Sequence, residues 1–248
     1  MTLIAHLRWG MVAVLACAVG TYARDKKDNP KAAGAQTVDA GSFSVLVRGQ
    51  RVVTESFSVR QENGISIVKS KLQETGVSDA ASQTSELEMT SSGELLRYEW
   101  SNGGGSLVVT PKDEFLLEKI TTAASPKPAE QPFLMPNTSA ILDNNFFIHR
   151  EVLAWRYLAS NCHTDSGTLK CKPSDEYGVL VPQDRTSMRV RMELVGREKV
   201  TIRGTERELL RLNLRGEAFS WALWVDDKDQ FKLMRVLIAD DNTEVLRD

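Results

Sequence analysis

Apolar and polar positions alternate with a period of two along most of this chain, the spacing of half-buried β-strands. From Gly41, GSFSVLVRG puts Phe43, Val45 and Val47 on one face. VTESFSVRQ repeats the pattern with Val53, Phe57 and Val59, although Glu55 interrupts the row. Gln61-Glu62-Asn63-Gly64 is a turn signal, after which ISIVKSKL returns with Ile65 and Ile67. SELEMT, ELLRYEW, LVVT and FLLEKI follow, separated by Ser91-Ser92-Gly93, SNGGGS and PKDE. A second series starts at YGVLVPQ. In it Met188, Val190, Met192 and Leu194 alternate with Arg189, Arg191 and Glu193. Phe219, Trp221, Leu223 and Val225 then share one face and Ala218, Ser220, Ala222 and Trp224 the other, so that Trp224 sits on an outer face or lines a groove. Asp226-Asp227-Lys228-Asp229 turns the chain into FKLMRVLIA, and DNTEVLRD is a final short strand or a tail. Strands and turns at this spacing predict antiparallel meanders.

One stretch breaks the rule. Over Asp143 to Ala159, Phe147, Glu151, Ala154 and Leu158 follow a helical rhythm, and Ile148, Val152, Trp155 and Ala159 form the adjacent row. Asp143 is the expected N-cap, with Arg150, Glu151 and Arg156 left for the edges of the apolar face. Upstream, Ala123 to Asn137 contains four prolines, which predicts a break in the sheet and a plain crossover, with Phe133-Leu134-Met135 covering the end of the core. The expected fold class is therefore mainly β (α+β): an antiparallel curved sheet or half-barrel packed around one central helix at about residues 143–159.

At 248 residues with 42% hydrophobic content, one large β domain of this length buries a substantial core. The formal charge is −2, and the basic and acidic residues are interspersed. No basic stripe matches a phosphate backbone, so no nucleic-acid partner is expected. The first residues read differently from the rest. MTLIAHLRWG, the apolar run MVAVLACAVG and polar TYARDKKDNP have the layout of a secretory signal peptide, cut after Ala23. Val14-Leu15-Ala16-Cys17 also resembles a loose lipobox, which would anchor a lipoprotein through Cys17. The organisation expected is a signal peptide at 1–23, a flexible linker at 24–39 and a single β domain at 40–248. With the signal removed no transmembrane domain is expected, and the mature protein is exported, periplasmic or secreted. Its two remaining cysteines, Cys162 and Cys171, are close in sequence and predict a disulfide in an oxidising compartment.

Candidate chemistry is sparse. The sequence has no G-x-S-x-G, no Gly-rich phosphate loop before a helix and no H-E-x-x-H. His149 and His163 fall in different elements, so no catalytic residue, cofactor or metal is assigned; a convergent polar cleft at His149 would be the mark of a hydrolase. Cys162, His163 and Cys171 lack a fourth metal ligand in range. Asp226, Asp227 and Asp229 lack the spaced ligands and glycine of a calcium loop. The apolar inventory is richer. Aromatic residues on the helix meet a sheet lined with aromatics and methionines, and Phe147, Val152, Trp155, Trp221 and Leu223 are the expected lining of an apolar site.

The helix ILDNNFFIHREVLAWRY, Val181-Pro182-Gln183 and the closing WVDDKDQFKLMRV (Trp224 to Val236) together resemble uncharacterised bacterial envelope proteins. More distantly the architecture is similar to the Lol lipoprotein-carrier and LppX lipid-binding types, over about Ala40 to Arg247. The resemblance implies a non-enzymatic exported protein that binds a lipid or other hydrophobic ligand between sheet and helix. The alternative is an envelope interaction or scaffold module with a filled core, whose strand edges recruit an envelope protein partner.

Overall fold

The structure, a computed structural model, describes residues 35–76 and 82–248. The expected signal peptide, its cleavage site, Cys17 and the linker as far as residue 34 lie outside the described residues. The first strand series forms β1 (Gln36–Val47), β2 (Gln50–Glu62), β3 (Ile65–Glu74), β4 (Gln83–Thr90), β5 (Leu95–Asn102), β6 (Gly105–Lys112), β7 (Phe115–Thr122) and β8 (Ser125–Phe133). A short β9 (Ala140–Ile141) leads to the helix α1 (Ile148–Asn161) and the hairpin β10 (Cys162–Asp165) and β11 (Thr168–Cys171). The second series forms β12 (Ser174–Val181), β13 (Thr186–Ile202), β14 (Thr205–Arg215), β15 (Ser220–Asp226), β16 (Lys232–Ile238) and β17 (Thr243–Arg247). The chain is thus mainly β, with one α-helix among the described residues.

Fifteen of these strands make one sheet in the order β8-β7-β6-β5-β4-β3-β2-β1-β17-β16-β15-β14-β13-β12-β9. Each series is an antiparallel meander, and only β9 pairs in parallel, with β12. The last strand joins the two series. Val245 of β17 faces Val45 of β1 on one side and Val236 of β16 on the other. A segment whose sequence allowed strand or tail is therefore beside the central strand of the sheet.

Turn chemistry sets which residues face inward. Asn63 and Gly64 both have positive φ, 51° and 78°, the conformation of a two-residue hairpin turn. That turn places Val59 opposite Val68 and Arg60 opposite Ile67. Val68 and Leu72 consequently enter the core, while Ile65 and Ile67 fall on the other face. The same register carries a buried row across six strands: Val59, Val68, Leu87, Tyr98, Val109 and Glu118. Leu153, Ala154 and Tyr157 of α1 pack into one cluster with this row and with Met192, Leu212 and Val236 from the second series. On the opposite face Trp224 is buried in a smaller cluster with Val200, Ile202 and Leu209, beneath the guanidinium groups of Arg211 and Arg235.

Three expectations are corrected. The proline-rich stretch is not a break in the sheet, because Ser125–Phe133 is strand β8. An edge strand tolerates proline, since the side that meets no neighbour needs no N–H donors. Phe133 of the triplet is buried, but Leu134 is 90% exposed and covers nothing. Second, α1 starts at Ile148 rather than Asp143 and its cap is Phe147, which supplies no side-chain hydrogen bond. Third, Arg150 and Glu151 do not lie on the edges of the helix but are fully buried.

β1 begins at Gln36, ahead of the boundary drawn at Ala40, and its Asp39 is buried. Arg247 of β17 donates to both oxygens of Asp39, at 2.6 and 2.8 Å, and to Glu151 of α1 at 3.3 Å. One guanidinium thus ties the first strand, the last strand and the helix. Removing one partner of such a buried cluster leaves the other charge uncompensated. Arg247→Ala is therefore expected to lower the unfolding free energy by about 3–5 kcal/mol, read from the urea midpoint at constant slope.

Candidate functional site

The first N–H groups of a helix have no partner within it. Here Glu55, the residue that interrupts the apolar row of β2, supplies one from across the core. The Phe147 N–H donates to its Oε2 at 2.6 Å and the Ile148 N–H to its Oε1 at 3.2 Å. Ser70 of β3 donates to Oε1 at 2.7 Å. Burial raises the Glu55 carboxyl from an ordinary 4.5 to about 7, despite the donors that oppose the shift.

Asp143, expected as the cap, anchors the approach to the helix instead. Its carboxylate accepts from the Tyr98 hydroxyl, the Gln183 amide and the Asn145 N–H. Arg150 turns back and donates to the carbonyls of Asp143 and Phe146, while its guanidinium lies 4.9 Å from the Phe147 ring centre and 4.7 Å from that of Trp221. Burial lowers Arg150 to about 10, so it stays charged at neutral pH. Further along the helix, Glu151 accepts from the Leu233 N–H at 2.8 Å, and its carboxyl is pushed well above the usual range, first by burial and then by Asp39 beside it.

His149 is buried between Tyr98 and Phe146, and its Nδ1 accepts the Asp143 N–H at 3.3 Å. In the neutral ring the hydrogen therefore sits on Nε2, which has no partner. Burial, and then the charge of Arg150, lower this histidine to about 3. A ring so depressed, with its acceptor nitrogen already occupied, is not placed to remove a proton from a nucleophile.

His149 also borders a cavity of about 450 Å³ between α1 and β3, β4 and β5. Its apolar walls are Leu87, Met89 and Leu95 of the sheet, Ile141 of β9, and Val152 and Leu153 of the helix. Gln61, Ser66 and Arg156 supply polar groups. Of the five residues expected to line an apolar site, Val152 and Trp155 line this cavity. Trp155 also borders a groove beside the β10–β11 hairpin, where its Nε1–H donates to the Phe231 carbonyl at 3.0 Å. The other three stand elsewhere. Phe147 borders a smaller cleft with Val45 and Leu72, Trp221 packs under Arg150, and Leu223 is buried in the core.

Cys162 and Cys171 face each other across the β10–β11 hairpin at disulfide distance. At the β15–β16 turn Asp227 is paired with Arg197 and Asp229 with Lys232. No group of side chains suited to holding a metal ion occurs among the described residues, and no helix among them is long and apolar enough to cross a membrane. No family model matches the chain, no curated protein matches its sequence and no solved structure matches its fold.

The buried groups give stability a definite pH dependence. Glu55 and Glu118, both raised from 4.5 to about 7, bind more protons folded than unfolded across that interval. Their stabilisation is complete below pH 4.5 and is lost as pH rises through 7. Glu151 acts in the same sense, whereas His149 opposes it between 6.5 and about 3. The protein is expected to be less stable at pH ~8 than at pH ~5, and Glu55→Gln to reduce that fall by about 2–3 kcal/mol. Urea unfolding of both proteins at the two pH values measures it.

Proposed function

We propose that this protein is a non-enzymatic, exported carrier that holds a lipid or other apolar ligand between its helix and its sheet. The observation that supports this reading best is the cavity of about 450 Å³ against α1. Its volume falls within the roughly 300–1,000 Å³ of small-molecule sites, and a mostly apolar wall with a few polar groups is their usual composition. In this reading the sheet curls around α1 as a half-barrel. Contacts from distant strands favour it: Glu55 of β2, Tyr98 of β5, Leu233 of β16 and Arg247 of β17 all reach the helix or the segment that leads into it. The Leu95 N–H of β5 also donates to the Asn137 carbonyl just before β9.

Export rests on the signal-like residues 1–23 and on the cysteine pair at disulfide distance, which suits an oxidising compartment such as the periplasm. The likeness to the Lol carrier and LppX types belongs to the same proposal. The competing reading, a scaffold that recruits partners through strand edges, finds less support. At one end of the sheet β8 carries Pro126, Pro128 and Pro132, and at the other β9 is two residues long. Proline and short edge strands both discourage strand addition.

Native mass spectrometry of the protein purified from its own envelope is expected to show a bound apolar molecule. After extraction, the protein is expected to bind the apolar fluorophore N-phenyl-1-naphthylamine, and Val152→Trp, which fills the cavity, to weaken binding roughly tenfold or more, the scale of a lost apolar contact surface. An extracted protein that leaves the fluorophore dark sinks the carrier reading.

A further inference from the structure

The mouth of the cavity carries a cation that has no ion-pair partner among the described residues. Ser139, Arg156 and Ser160 border both the cavity and the open cleft outside it, which fixes their position at the opening. Arg156 stands there between Tyr177 and the β4–β5 turn. Its guanidinium lies 5.4 Å from the Tyr177 ring centre, and a Cβ placed on Gly93, in the β4–β5 turn, would sit 3.7 Å from its Cδ. Gly93 itself has φ +84°, a conformation that favours glycine in that turn.

No carboxylate among the described residues forms an ion pair with Arg156. Of the two acidic side chains of the outer cleft, Glu176 pairs with Arg191 at 2.9 Å, whereas Asp175 accepts from the neutral Asn161 at 2.9 Å and forms no ion pair with Arg156. Arg189 adds a second positive charge to the same cleft. An arginine pinned by stacking loses little freedom on binding and presents its remaining donors in a fixed fork, which suits a carboxylate or a phosphate. Behind it the walls turn apolar at Val152, Leu153 and Leu95.

We propose that the cavity takes single-chain anionic amphiphiles, with the alkyl chain between α1 and β3–β5 and the charged head on Arg156 at the mouth. This rests on the apolar-ligand reading above and names the ligand class. A neutral amphiphile of equal chain length gains the same apolar burial but leaves the guanidinium unpaired. A cationic one meets like charge at the opening.

The experiment displaces N-phenyl-1-naphthylamine from the extracted full-length protein with dodecanoate, dodecyl phosphate, dodecanol and dodecylammonium near neutral pH. The two anions are expected to bind roughly tenfold or more tighter than dodecanol, the scale of one charge-assisted hydrogen-bonded contact, and dodecylammonium to bind most weakly. Whichever anion binds tighter identifies the head group. In Arg156→Gln the ratio of dodecanol to dodecanoate dissociation constants is expected to fall to about one, and Arg156→Lys to retain part of it. Near-ultraviolet circular dichroism checks that both variants are folded. Equal binding of dodecanol and dodecanoate by the unaltered protein overturns this inference and leaves the carrier reading standing. An anion preference that survives Arg156→Gln overturns the assignment to Arg156. Failure of all four amphiphiles to displace the fluorophore overturns the carrier reading and this inference together.

Discussion

The helix of this protein begins inside the core, and its unpaired N–H groups have to be satisfied there. Water is not available at that position, and the local sequence supplies no side-chain cap, since Phe147 occupies the capping position. Glu55 meets the need from the second strand, accepting from Phe147 and Ile148. A carboxyl in this place is pulled two ways. The helix terminus and the donors favour its charged form, while burial favours the neutral one, and burial wins. The helix is thus docked by a group whose protonation is linked to folding.

The same demand explains the other buried polar residues. The turn from Asp143 to Phe147 brings several carbonyls inward, and buried carbonyls require donors. Arg150 provides them and offsets its own desolvation by lying against Phe147 and Trp221. The next residue, Glu151, takes up the Leu233 N–H and one arm of Arg247. These contacts come from β2, β16 and β17, so the helix is located by directional bonds to strands far apart in the sequence. Apolar packing alone would allow it to slide or rotate by a residue, at the loss of interchangeable contacts. Hydrogen-bonded ionisable groups allow no such freedom without leaving an unsatisfied charge.

Much of the architecture was legible because it follows from period and turn chemistry. Two meanders, a single helix near residues 143–159 and the closeness of Cys162 to Cys171 can all be read from local sequence. The departures have a common cause. Ile65 and Ile67 suggest an inward row by hydrophobicity, but the Asn63-Gly64 turn fixes the pairing and turns Val68 and Leu72 inward instead. The prolines of β8 suggest a break, yet they mark an edge, which only the strand order reveals. Glu55 takes the role expected of Asp143, because capping from another strand leaves no spacing signature. The one trace of it was the charged residue in an otherwise apolar row of β2. Arg150 and Glu151 were assigned to the helix edge by polarity, and nothing within a single helix tells a solvated charge from one that meets a partner ninety residues away.

The way the helix is held also bears on the empty space beside it. Cavities in a β core normally shrink as neighbouring elements collapse, and every apolar group left without contacts costs free energy. Glu55, Arg247 and the Leu233 N–H hold the N-terminal end of α1 and its side toward β16 and β17, while the cavity lies on the flank that faces β3–β5. Any shift of α1 that closed the cavity would have to preserve the bonds of Phe147 and Ile148 to Glu55 and of Glu151 to Arg247, or lose them. Each lost bond would expose a buried polar group with no replacement, a cost of about 1–3 kcal/mol apiece. Methylene packing regained across Leu87, Met89 and Val152 is of similar size per group but would have to outweigh several such losses at once. The polar contacts therefore brace α1 beside the cavity, a condition that the proposed carrier reading requires.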